Sequence, residues 1–439
     1  MRKAKVYVYY RWILAGWVLL ILGFTLWNQV APQFVSAWFG TRLWWMSIHV
    51  FTLGVVATSI LVWAWHFSVT LLRYSDFTSQ QPLWRLLLHT AGSVLSVLAF
   101  AFSFGWFLLP GFALIFVAFA WLLGAIWQAL RQAAFKSQLA GVVRYYALAT
   151  GAFLVGLICG LLLGLDLLGV WLVPFLWREA FLLTHIFANV VTFVGITIFV
   201  TLGTLLPTTS RTKVLAQTKD ILAAAFPVAL FAVIVVLSGA WFMNPWLIFV
   251  GFVILAAVLL TLAVLAVLPL RVNAHWGFAP QTLLLGTFWL VAAVLLLGWV
   301  TFPSPAWTAL PLAQLRVEIA LLFPVVLVGA AQILLGSLAY LLPMIIGLGP
   351  ALQASYRSLD RFAEYRVFLL NLLFLGSFIA PPQPAQVLWL LGLFGLFITL
   401  LQLALVVVRQ LSTADPTEPL GVAPPQHRRN LLDSNNRQL

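Results

Sequence analysis

Charge is what this chain lacks most. Only 8% of its 439 residues are Asp, Glu, Lys or Arg, against about 25% in a soluble globular domain, so a water-soluble fold is excluded. Acid is scarcer than base, 10 residues against 23, and the net +13 is scattered singly between apolar runs. A nucleic-acid-binding surface gathers its charge on one face or segment, so no nucleic-acid partner is expected. Cysteine occurs once, as Cys159 inside an apolar run, which rules out an intramolecular disulfide and a thiolate metal cluster. A blue-copper site sets a Cys beside two His in a β-rich domain, and is not expected either. Phosphate-binding loops, zinc-protease motifs and nucleophile elbows are missing throughout.

Apolar residues are abundant, at 64%. They form runs of about 20, the length a helix needs to cross a hydrocarbon layer about 30 Å thick. Breaks at Gly, Pro and charge divide the chain into twelve spans, near 12–30, 43–72, 84–106, 108–131, 145–168, 180–206, 220–243, 246–270, 280–302, 312–345, 364–380 and 385–408. The expected fold is an all-α polytopic membrane protein, with a twelve-helix transmembrane domain over 1–408 set in the lipid bilayer. No secretory cleavage pattern follows Trp12 to Trp27, so that run is expected to be a retained helix. The segment 409–439, rich in Pro, Asn, Gln and Arg, is expected to be a disordered cytoplasmic tail.

Positive charge sets the orientation of such a chain. With both termini inside, 20 of the 23 Lys and Arg fall on the cytoplasmic side, and only Arg42, Arg178 and Arg316 lie outside. Dropping one middle span destroys that asymmetry. The expected location is the plasma membrane, multi-pass.

The three outer arginines precede or open the second, sixth and tenth spans, four spans apart. Arg42 precedes His49 and Arg178 precedes His185 with the same spacing, Arg-x6-His. The interval from His49 to His185 also equals that from Leu205-Leu206-Pro207 to Leu341-Leu342-Pro343. Three units of four spans, each one such interval long, would end with the twelfth span. Even spacing of twelve spans produces a similar interval, and the tenth span has Phe323 where a third histidine would stand.

Histidine inside a bilayer commonly serves protons, metals or a haem. If the second and sixth spans face one centre, His49 and His185 are placed to ligate one haem iron or one copper. Arg42, Arg178 and Arg316 at the outer rim then suit haem propionates through bidentate bonds. The competing reading has interfacial imidazoles bonded to backbone or water, and arginines reaching lipid phosphates. Asn189 and Thr52, about one turn after the histidines, are candidates to orient the rings. Glu318 on the tenth span is a candidate proton or metal ligand, or one half of an interfacial salt bridge. His66 and His89 form a second candidate metal group toward the cytoplasmic side. His66 lies about 25 Å of helix beyond His49, too far to share a site. His275 and His427 fall in a loop and the tail. Ten of the 21 tryptophans, Trp45 among them, map to outer span ends or loops as an aromatic belt, with Trp63 and Trp65 doing the same inside. Gly156 and Gly160 make a small-residue packing face on the fifth span.

The stretch HVFTLGVVATSILVWAWHFSVTLLR from His49 resembles a segment of actinobacterial polytopic membrane proteins, which occur alone or joined to a multicopper oxidase or copper nitrite reductase domain. HIFANVVTFVGITIFVTLGTLLPTTSRTK from His185 and GAAQILLGSLAYLLP ending at Pro343 are similar to two further segments of that group. More remotely, the three-by-four layout resembles the haem–copper oxidase catalytic subunit and haem-containing membrane proteins of the nitrosative-stress response. Those oxidases use about six ligand histidines; here the sixth span has one and the seventh and tenth have none, so a binuclear oxygen-reducing centre is not expected. The resemblance implies a haem- or copper-associated membrane protein serving electron transfer or copper and nitrogen-oxide handling, with an extracellular multicopper oxidase or electron-transfer protein as partner. The alternatives are a secondary transporter, for which acidic residues within the spans are few, and a cofactor-free membrane partner of such an oxidase.

Overall fold

A bilayer offers no water to backbone N–H and C=O groups, so a chain this apolar satisfies them within helices. The computed structural model describes residues 2–30, 33, 42–74, 80–133, 139–303, 311–347 and 349–413, for some of these the backbone alone, and every element among them is helical. Helix α1 is Arg2–Val30. Helix α2 stacks three pieces end to end, Arg42–His49, a π-helical Val50–Ala57 and Thr58–Leu72. Then come α3 (Gln81–Ala101), α4 (Leu108–Gln132) and α5 (Val142–Leu167). Helix α6 repeats the three-piece build, with Phe175–Ile186, a π-helical Phe187–Ile196 and Thr197–Thr209. The rest are α7 (Thr218–Trp241), α8 (Pro245–Val267), α9 (Phe278–Val300), α10 (Pro311–Ile346), α11 (Gly349–Asp360), α12 (Ala363–Ile379) and α13 (Pro382–Thr413).

Among the described residues, eleven helices are long and apolar enough to cross a membrane, and there is a twelfth if α11 and α12 count as one span bent by 45°. The expected spans fall on these helices; the first starts ten residues after α1 does, and the eleventh matches its helix within one residue but is short. There 364–380 is matched by α12 alone, whose 17 residues reach only about 25 Å. The bend sits at Phe362, held at φ 55°, and Arg366 clamps it by donating to Leu359 O and to Gln402 on α13. At the other end of the expected domain, α13 continues through Thr413, and 414–439 lie outside the described residues.

Three helices form the centre. The most apolar stretches of α2, α6 and α10 are 61%, 56% and 67% buried, while no other span exceeds 50%. Sequential neighbours pack around them as hairpins, most extensively α9 with α10, α7 with α8 and α3 with α4. Helices α6 and α10 turn corresponding faces inward. Thr197 and Ile333, Thr201 and Ser337, and Leu205 and Leu341 are pairs separated by the same interval as the two histidines, and all six line one cavity.

One polar network in the span interiors joins three helices. Trp289 Nε1 on α9 donates to Asn371 Oδ1 on α12 at 2.7 Å, and Asn371 exchanges two bonds of 3.0 and 3.1 Å with fully buried Gln332 on α10. This network ties α12 into the bundle. Asn371→Leu leaves the Trp289 and Gln332 groups without partners, which costs about 1–3 kcal/mol. It is expected to lower the thermal unfolding midpoint of detergent-solubilised protein, whereas Asn371→Gln is expected to recover part of the loss.

Candidate functional site

Helices α2 and α6 each change from α to π geometry directly after their histidine, at Val50 following His49 and at Phe187, just past His185. A π turn closes i→i+5 bonds, is rare, and is found frequently at functional sites. On α2 the altered ladder is buttressed from α3, where His89 Nε2 lies 3.1 Å from both Leu53 O and Thr58 Oγ1.

The structure brings His49 and His185 together. Their ring centres are 5.9 Å apart with the planes tilted by 31°. Each ring has its Nδ1 on a backbone carbonyl: His49 on Trp45 O, one turn back on its own helix, and His185 on Gly156 O of α5, both at 2.8 Å. A carbonyl only accepts, so in the neutral rings Nδ1 carries the proton and Nε2 carries the lone pair. This is the arrangement by which outer hydrogen bonds orient metal-ligating imidazoles. No Nε2 bond is made by either ring among the described residues.

Sequence patterns explain why the rings are held there. Trp45 stacks flat on His49 with centres 3.9 Å apart and on Phe100 of α3 at 3.4 Å. Trp45 is therefore a wall of the site and not the belt residue its position suggested. On α5 the two glycines four apart form a floor. A Cβ at Gly160 would stand 2.6 Å from His185 Cε1, and one at Gly156 would collide with the Asn189 amide. Asn189 Nδ2 lies 3.0 Å from His185 Nδ1. With Nδ1–H directed at Gly156, that amide fits the ring better turned over, Oδ1 accepting. Thr52 does not reach a ring and donates instead to Ile48 O.

The arginines serve helix ends. Arg42 donates to Phe100 O at 3.0 Å and to the Ser103 hydroxyl, closing the end of α3. Arg178 forms a two-pronged pair with Asp166 of α5, at 2.7 and 3.0 Å, and Asp166 also accepts from Val173 N. Asp166→Asn keeps the acceptor for Val173. With Arg178 43% exposed, the loss is expected to be about 1 kcal/mol or less. The unfolding midpoint should fall slightly. The side chains of Arg316 and Glu318 lie outside the described residues.

The second candidate group is not assembled. His66 Nδ1 meets the Tyr7 hydroxyl at 2.6 Å inside a cage with Trp63 and Phe67, while His89 bonds at Leu53 and Thr58. Thr58 and His66 stand about 12 Å apart along one helix, so the two histidines hold separate places. Trp63 and Trp65 are not inner anchors either. Both are buried, Trp63 donating to the Tyr10 hydroxyl and Trp65 lying under the Arg85 guanidinium. His275 stands 4.0 Å from Asp360, and His427 is outside the described residues. Among the described residues no three His, Cys, Asp or Glu converge as a metal-binding group.

The separation of the two ring centres can be set against that of two imidazoles on one ion. With metal–nitrogen bonds of about 2.0–2.1 Å and about 1.2 Å from each nitrogen to its ring centre, ring centres stand about 5.6 Å apart at a 120° ligand angle and about 6.4 Å apart at 180°. The observed 5.9 Å lies between these limits. Copper accepts either angle, whereas the observed separation falls short of the 180° value that haem iron would take. No protein-family model matches this chain, and no curated protein matches it.

Proposed function

We propose that this integral membrane protein holds haem iron or copper between His49 and His185 near its outer face. Its role would be electron transfer or copper and nitrogen-oxide handling. In this reading α11 and α12 form one bent span, the twelve spans make three related units of four, and both termini are cytoplasmic in the plasma membrane. The Asn371 network supports counting α12 as a crossing helix, because it pairs polar groups at the level of the apolar spans.

One observation carries the proposal. Two intramembrane histidines from equivalent places on α2 and α6 meet with both Nδ1 atoms on carbonyls and both Nε2 lone pairs left for a ligand. Such a group supplies one-electron redox chemistry. The chain's own part is to fix the tautomers, hold the rings between Trp45 and the α5 glycines, and exclude water. Arg42, Arg178 and Arg316 would meet the carboxylates of a haem, and Arg178 already shares its guanidinium with Asp166.

The test is an absorption spectrum with metal analysis on purified protein. A Soret band with one iron per chain identifies haem, and one copper per chain without that band identifies copper. Protein that carries neither after supply of both would overturn the proposal and favour the cofactor-free partner or transporter readings.

A further inference from the structure

Two turns past His49 on α2, the three central helices part around a half-open cavity of about 80 Å³. It is separate from the histidine pair, and nothing said of it depends on that pair. Small side chains reach it from more than one side, Ala64 from α2 and Ala330 and Ser337 from α10. A single misfit would leave a gap on one helix only. A Leu at any of these positions would help fill the space.

The walls are dry in character. No charged side chain lines the cavity, and all but Ser59, Thr197, Thr201 and Ser337 are apolar. Three of those four hydroxyls donate to the preceding turn of their own helix: Ser59 to Val55 O at 2.7 Å, Thr201 to Thr197 O and Ser337 to Ile333 O, both at 2.6 Å. Ser59 and Thr201 also meet the hydroxyls of Tyr10 and Tyr146, at 2.9 Å each. Thr197 Oγ1 is buried and makes no hydrogen bond among the described residues, so it is the one wall hydroxyl left over. A water needs two to four polar partners to settle in a cavity, and these walls have few left to offer.

Size and polarity then select the occupant. An apolar cavity of about 150 Å³ stays dry and takes benzene or xenon. About half that volume is enough for a xenon atom or a diatomic molecule. We propose that this cavity is a binding site for a small, uncharged, apolar gas molecule of the size of dioxygen. Such molecules dissolve in the hydrocarbon layer around the bundle, so they reach the site without crossing a charged surface.

Crystals of the whole protein pressurised with xenon, and separately with dioxygen, test this. Each gas is expected as a peak bounded by Ala64, Ala330 and Ser337. Ala330→Leu is expected to lower xenon occupancy at least five-fold, and Ile333→Ala to raise it. The two variants move the reading in opposite directions, so a folding defect in one does not mimic the result. The proposal is overturned if the wild-type cavity takes neither gas, if ordered waters fill it, or if Ala330→Leu leaves xenon occupancy unchanged.

Discussion

With a metal held as proposed, His185→Ala is expected to leave the purified protein less than about a tenth of an equivalent of iron or copper per chain. Removing even an outer-sphere partner typically costs 10–100-fold in metal affinity, and this change removes one of two ligands. The remaining imidazole, His49, keeps its Trp45 carbonyl but has no opposite ligand. His49→Ala is expected to match it. The comparison that gives the result its meaning is with histidines elsewhere. His66→Ala and His89→Ala should retain full metal content, because His66 bonds Tyr7 and His89 bonds the α2 backbone. If all four variants lose metal equally, global destabilisation explains the effect. If His185→Ala keeps its metal, His185 is not a ligand.

Gly160→Val is expected to empty the site nearly as completely, although it removes no ligand. The new Cβ would stand 2.6 Å from His185 Cε1 and 2.8 Å from Nδ1. Neither α5 nor the ring can yield that much without breaking the bond from Nδ1 to Gly156 O. Overpacking of this kind costs about 1–3 kcal/mol, so the variant should fold with a lowered unfolding midpoint. Gly151→Val on the same helix is the control, since a Cβ there meets nothing within 4 Å, and it should retain metal. Equal metal content in Gly160→Val and Gly151→Val would mean that α5 does not position the ring.

Much of this was legible in the sequence because membrane helices are written in runs. Span positions followed from apolar length and from breaks at Gly, Pro and charge, without any knowledge of which helices are neighbours. The eleventh was harder. The segment before Phe362 is polar enough to read as a loop, yet it is helical as α11, and the bend depends on clamping by Arg366 and Gln402 from outside the local pattern. The meeting of His49 and His185 was legible from a coincidence of spacing, Arg-x6-His twice, one interval apart. What fixes the rings was not. Local sequence does not announce a π segment, so the change of geometry after each histidine gave no signal. The Gly156–Gly160 face was visible as small residues, but its load, the His185 ring and the Asn189 amide, comes from another helix. Trp45 was misread because a tryptophan at a span end usually marks the interface, and only the position of Phe100 shows that it is sandwiched. Arg178 and Asp166 give no sign of each other in the sequence. Their pairing required knowing that the turn between α5 and α6 folds back on itself.

The central claim is that His49 and His185 close one metal site between α2 and α6. The most direct measurement is X-ray absorption at the metal edge of the purified wild-type chain. One metal per chain with two imidazole nitrogens at about 2.0–2.1 Å is the expected result. A metal shell without imidazole, or no stoichiometric metal to measure, would contradict it.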